Sequence, residues 1–275
     1  MIAKARNLPP VSPAALELTR LLEQPDASNE DVIALLKQDG VLTAKLLRAC
    51  NSPMLGLDGQ VGSVDQAVLM LGYRQIFQIV SGLAFRSTLS SALPAYDLEK
   101  EALWQHSFVA SYAAQLATNE CLDFTADESI AFTVGLLHDI GKLITSQFIT
   151  PEIKAGIRLK VAHGYSLAEA ERCMLGADHA EVGAALLYIW RLPDFIVEAV
   201  AMHHRPAIKP VPRLSALASL ANTLAHAADA AHCRQAPSYS SIDLEVFNRL
   251  GFPAGRLNDV LSMIDRDGRA LEMAG

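Results

Sequence analysis

The chain has 275 residues, 51% hydrophobic and 19% charged, against a usual charged share of about 25%. So much apolar mass can bury a sizeable core, and it excludes a disordered chain. Lys+Arg number 23 and Asp+Glu 30, a net charge of −7 with no basic cluster to offset it, which argues against nucleic-acid binding.

In chain order, Ser12-Pro13 places a capping hydroxyl before a proline and opens a helix that runs to Gln24-Pro25. Capping-box pairs at Ser28…Asp31, Ser63…Gln66, Thr125…Glu128, Ser166…Glu169 and Asp178…Glu181 mark further helix starts. Thr150-Pro151 opens another helix, which Gly164 ends. Apolar residues recur at spacings of three and four, as in Val32, Leu35, Leu36 or Val182, Leu186, Ile189. No strand-like alternation appears, so the expected fold class is all-α, with about a dozen helices.

Residues 1–95 read as short helices broken by Asn51-Ser52-Pro53 and by the glycine-rich stretch Gly56 to Gly62. They hold no histidine; all eight lie from His106 onward. A proline-rich connection, Pro206 to Pro212, leads to a last helical region. With no long linker, residues 1–275 are expected to pack as one unit with parts at 1–95, 96–209 and 210–275. Cys50, Cys121, Cys173 and Cys233 form no CxxC pair, as expected of reduced thiols. Met1 to Arg6 carries no signal-like apolar core, and runs such as Val182 to Trp190 are too short to cross a bilayer. The expectation is a cytoplasmic protein with no membrane contact.

The chemistry-bearing residues fall on four helices. His106 shares an apolar stripe with Leu103, Ala110, Ala113, Ala114 and Ala117, in a helix expected to open near Asp97; taken alone, it reads first as a core histidine bonded to a carbonyl. Gly135-Leu136-Leu137-His138-Asp139-Ile140-Gly141-Lys142 runs an apolar helix into His-Asp, with Gly141 expected as the left-handed terminator. A histidine at a helix C-terminus is also favoured by the dipole alone. The segment is no phosphate-binding P-loop, because five residues separate its glycines and Leu143 follows the lysine. His179 follows Asp178 at a helix start, where the dipole is expected to keep the ring neutral, as a metal requires. His203-His204 stand together at another helix end. Each has an ordinary structural explanation, but the succession His … His-Asp … His … His-His points to a site for one or two divalent transition metals, Fe, Mn, Zn or Ni. His163, His226 and His232 fit no such scheme.

This order, with Trp104-Gln105-His106-Ser107, Leu137-His138-Asp139-Ile140-Gly141-Lys142, His179-Ala180-Glu181-Val182-Gly183 and His203-His204-Arg205-Pro206, resembles the HD superfamily of metal-dependent phosphohydrolases. Leu8-Pro9-Pro10, the helix Asp39 to Arg48, Asn51-Ser52-Pro53 and Ala67 to Gly72 are similar to the HD-related output domain (HDOD) family within it. The resemblance implies a helical N-terminal subdomain (1–95) packed on an HD-type helical core (96–209), with a C-terminal helical extension. It implies His106, His138, Asp139, His179, His203 and His204 as metal ligands, and Asp139 and Lys142 as catalytic positions if the site is catalytic.

Three departures stand out. Where the HD pattern closes with an aspartate, this chain has Asn222, and Asp229 lies two turns further on. Ala102 stands where HD-GYP enzymes can carry a glutamate ligand, and the Gly-Tyr-Pro loop is missing. Two functions follow from the resemblance. The first is a bacterial signal-transduction output or regulatory module with a partly retained metal site, acting on a signalling protein partner. The second is a metal-dependent phosphohydrolase or phosphodiesterase for a phosphorylated small molecule, a nucleotide or cyclic nucleotide.

Overall fold

Local capping chemistry and the three-and-four apolar spacing resolve into fourteen α-helices in the computed structural model, which describes residues 11, 13–21, 24, 28–55, 57, 60–122, 126–205, 212–232 and 241–268. Among these residues there is no strand, only an isolated bridge between Leu93 and Leu98. The helices are α1 (Pro13–Leu21), α2 (Asn29–Gln38), α3 (Gly40–Cys50), α4 (Val64–Leu89), α5 (Ala102–Glu120), α6 (Glu128–Leu137) and α7 (Lys142–Thr145). They continue with α8 (Pro151–Ala162), α9 (Leu167–Leu175), α10 (His179–Ile189), α11 (Asp194–Met202), α12 (Arg213–His232), α13 (Ser241–Leu250) and α14 (Leu257–Met263). The all-α expectation holds.

The reciprocal capping boxes at Ser28/Asp31, Ser166/Glu169 and Asp178/Glu181 form as expected. Ser63 caps α4, but Gln66 bonds Gly62 instead of closing the box. Thr125 lies outside the described residues, and α6 is capped by Asp127, whose carboxylate accepts from Ser129 and Ile130. Ser12, Pro25, Leu8-Pro9-Pro10, residues 206–211 and Cys233 also lie outside them, as do the side chains of Asp229 and His232.

Two starts and stops differ from expectation. The helix bearing His106 opens at Ala102, not near Asp97. Pro94 starts a 3-10 turn there, and Asp97 (φ 58°) and Glu101 (φ 70°) are both left-handed, so the chain cannot wind into a helix earlier. Asp97 instead accepts from Lys154 and Arg158 of α8, each at 2.6 Å. Gly141 is not a left-handed terminator: its φ is −62°. It is there for space, since a Cβ would lie 1.8 Å from the His179 carbonyl oxygen and 2.5 Å from the Gly183 nitrogen.

Helices α1, α2 and α3 pack on α4, while α5 packs on α6 and α12 and α10 on α11. One apolar core runs from Leu18 and Leu36 through Phe77, Phe85, Trp104 and Phe132 to Leu186 and Val200. A second joins the alanine face of α5 (Ala110, Ala113, Ala114, Ala117) to Leu217, Leu220 and Leu224 of α12 and to α13 and α14. Small residues let these backbones approach closely; a Cβ on Gly135 of α6 would sit 2.6 Å from the Ala110 carbonyl oxygen. Helix α4 is long and apolar enough to cross a bilayer by length and composition, but 56% of its most apolar window is buried inside the fold. It is kinked at Gly72, where φ is 77°.

Candidate metal centre

The close contacts that need Gly141 and Gly183 bring the turn after α6 against the start of α10, and the one at Gly135 brings α6 against α5. That turn presents His138 and Asp139, both buried. His106 comes from α5, His179 from the first turn of α10, and His203 and His204 from the end of α11. The six expected side chains therefore converge. Asp139 is central: Oδ2 lies 3.4 Å from His138 Nε2 and 3.7 Å from His106 Nε2, while Oδ1 lies 3.1 Å from His179 Nε2 and 3.9 Å from His203 Nε2. His204 Nε2 is 2.8 Å from His179 Nε2. Two groups share the carboxylate, His106/His138/Asp139 and Asp139/His179/His203/His204, each with its ligand atoms within 4.8 Å of one another.

The outer face of each ring fixes its orientation. His138 Nδ1 donates to the Gly135 carbonyl and His203 Nδ1 to the Val200 carbonyl, both at 2.7 Å. In a neutral ring such a bond turns Nε2 inward as the acceptor, and neither Nε2 has a hydrogen-bond partner. His179 is held differently. Its Nδ1 lies 2.6 Å from Glu171 Oε2, and the same oxygen accepts the His179 backbone N–H at 2.8 Å.

Charge follows the geometry. Burial raises the Asp139 pKa, but Lys142, with Nζ 2.5 Å from Oδ2, and His138 outweigh it and hold the carboxyl well below its usual range. Burial presses the His179 pKa down, but Glu171 and Asp139 outweigh it and raise it to about 9. The helix dipole is therefore not the main influence on His179: two carboxylates within hydrogen-bond reach act on the ring more strongly than the partial charges of the helix end. A proton and a metal ion would compete for the same Nε2 lone pair. Burial, reinforced by the neighbouring rings, lowers the pKa of His203 and His204 well below the ordinary histidine value.

Asn222, on α12, stands at the edge of this site, its Oδ1 3.0 Å from His106 Nε2. His226, set aside in the sequence, lies one turn further on, with its ring 4.5 Å from that of His106. The i, i+4 spacing of Asn222 and His226 was the signal that could have found it. His163 is exposed and bonds the Leu159 carbonyl, a purely local role. Two residues had no sequence signal: Glu171, fully buried on α9, and Tyr96, whose hydroxyl donates to Glu171 Oε1 at 2.7 Å. A further cluster braces the site, with Asp178 and Glu181 of the α10 cap holding Arg172 of α9 and Arg205 after α11. Beside it a cavity of about 380 Å³, lined by Arg172, His204 and Arg205, opens to solvent.

The HDOD domain family matches residues 8–206. The chain is 27% identical over 202 residues to an uncharacterized protein of Treponema pallidum, covering 72% of this chain and 38% of that one. It is 27% identical over 187 residues to the cyclic di-GMP phosphodiesterase CdgJ of Vibrio cholerae, covering 64% and 41%. The chain thus spans about two-fifths of the length of these curated relatives. Among solved structures, a proposed phosphohydrolase of Shewanella amazonensis superposes with a TM-score of 0.73 at 25% identity, covering 99% of this chain and 96% of that one. An HDOD domain protein of unknown function from Geobacter sulfurreducens superposes with a TM-score of 0.69 at 23% identity, covering 97% of each, and supports the fold. With the family match spanning most of the chain, and the His/Asp succession that suggested it gathered into one largely buried cluster, this protein belongs to the HDOD family.

Proposed function

We propose that the chain is a signal-transduction output module whose His/Asp centre binds divalent transition metal and which acts on a signalling protein partner. The observation that carries the metal reading is the pair of Nε2 atoms on His138 and His203, buried, without hydrogen-bond partners, and 3.4 and 3.9 Å from Asp139. Leaving such a buried acceptor unmet costs about 1–3 kcal/mol each, a penalty a bound cation removes. His106, His138 and Asp139 would hold one ion, and Asp139, His179, His203 and His204 a second. This nitrogen-rich set suits Fe, Mn, Zn or Ni.

The output reading draws its support from Asn222, which puts a neutral amide where the HD pattern has a carboxylate, and from the family. Elemental analysis of protein purified without added metal or chelator, beside Asp139→Asn, tests the metal centre. Near-stoichiometric metal in the parent and its loss in the variant are expected; metal-free parent protein would end the reading.

A second reading, hydrolysis of a nucleotide or cyclic nucleotide, is favoured by one feature: Asp139 is common to both ligand groups and carries Lys142. Likeness to a cyclic di-GMP phosphodiesterase points the same way. Bound metal would supply an activated water and charge neutralisation. Lys142 Nζ would neutralise a phosphate oxygen, and the Arg172/Arg205 cavity would admit the substrate beside His204. Turnover of cyclic di-GMP and bis(p-nitrophenyl) phosphate by metal-loaded protein, abolished in Asp139→Asn, would establish it, and no turnover of either would leave the output role alone.

A further inference from the structure

Among the imidazoles at the centre, those of His138 and His203 are oriented by backbone carbonyls of their own helices. His179 is oriented by a carboxylate from another helix. Glu171 is fully buried, and both of its oxygens are engaged: Oε2 by the Nδ1 and backbone N–H of His179, at 2.6 and 2.8 Å, and Oε1 by the Tyr96 hydroxyl at 2.7 Å. Placing a full negative charge where it meets no solvent is costly unless every lone pair is used. Here the whole arrangement is spent on one ring and its backbone.

Three elements meet in this relay. Tyr96 ends the 3-10 turn Pro94–Tyr96, which lies between α4 and α5; Glu171 lies mid-way along α9; His179 opens α10. The side chain of Tyr96 also carries Lys142 Nζ over its ring, 5.9 Å from the centroid, so it touches the centre from two sides. A carboxylate accepting from Nδ1–H fixes the tautomer, aims Nε2 at the metal and makes that nitrogen a stronger donor than a carbonyl-bonded ring.

We infer that Glu171, held by Tyr96, is a positioning residue that orients His179 and makes the Asp139/His179/His203/His204 group the tighter of the two metal sites. The inference rests on the metal-binding reading above and adds to it a ranking of the two groups and two residues outside them.

The test is a Zn²⁺ titration against a fluorescent chelator on the full chain, for the parent, Glu171→Gln, Tyr96→Phe and His138→Ala. Melting of each metal-free protein is recorded alongside. Glu171→Gln keeps the size of the side chain and removes its charge, and the tighter Zn²⁺ affinity is expected to fall about 10- to 100-fold. Tyr96→Phe keeps Glu171 in place and removes one donor, so a smaller loss of several-fold is expected in the same ion. His138→Ala is expected to lose the weaker ion and keep the tighter one.

A purely structural role predicts a different pattern: lower metal-free melting in Glu171→Gln with both Zn²⁺ affinities unchanged, and that result overturns the inference while leaving the metal centre standing. Loss of the tighter ion in His138→Ala overturns the ranking. A parent that binds no Zn²⁺ sinks the metal-binding reading and this inference with it. Should Glu171→Gln fail to fold, Tyr96→Phe decides: an unchanged tighter affinity counts against the relay.

Discussion

Gly141 shows how one residue can govern the centre without touching a ligand by its side chain. A methyl group there would overlap the backbone of His179 and Gly183 and push α10 away from the His138-Asp139 turn. Gly141→Ala is expected to destabilise the fold by about 3 kcal/mol, read as a lower denaturation midpoint; an unchanged midpoint would mean the two segments are not in contact. The residue was visible in the sequence, but its reason was not, because close approach between segments some forty residues apart leaves the same letter as a helix terminator. Asn222 is the converse: its departure from the HD pattern was legible, and the structure places it 3.0 Å from His106. Asn222→Asp adds a carboxylate at that point, and should tighten metal binding at the His106/His138 group about tenfold, about 1.4 kcal/mol. Chelator competition measures it, and weaker or equal binding would show that Asn222 does not face the ion.

At the scale of elements, the caps at α2, α9 and α10 were readable because a capping box is local: both partners lie within four residues. The α10 cap does more than its spacing reveals. Asp178 is buried, and besides the Glu181 N–H it holds Arg172 and Arg205, so one carboxylate ties α9 and the end of α11 to the first turn that carries His179. Asp178→Ala removes the cap and one of the two carboxylates that hold Arg172 and Arg205. A loss of about 2 kcal/mol is expected from the cap alone at the upper end, with weaker Zn²⁺ binding because His179 loses its register. A thermal melt with the parent's midpoint would contradict this. The helix of His106 shows the limit of local reading: two left-handed residues, Asp97 and Glu101, delay its start to Ala102. Asp97 is held by the Leu93–Leu98 bridge that encloses it and by Lys154 and Arg158 from far along the chain, and Glu101 by Ser90 and Arg86 at the end of α4.

For the whole molecule, the centre is where α5, α6, α10 and α11 meet, so metal bound there would link four helices that are separate in sequence. Ligand that binds only the folded state stabilises it by about 2.7 kcal/mol at a concentration of one hundred times Kd. Addition of Zn²⁺ to metal-free protein should therefore raise Tm by several degrees, and a chelator should reverse it; a Tm indifferent to both would exclude binding at the shared centre.

The amino-acid sequence by itself determined the all-helical class, most helix starts, and the six convergent His/Asp residues, because apolar periodicity, caps and the succession of ligand types are written within single segments. It could not show that Glu171 and Tyr96 stand behind His179, that His226 lies against His106, or that Glu171 and Asp139 together push the His179 pKa up. Those depend on through-space distances of a few ångströms between residues as far apart in sequence as His106 and His226. Only the tertiary structure decides them, since burial and neighbouring carboxylates, not local spacing, set the protonation and direction of an imidazole.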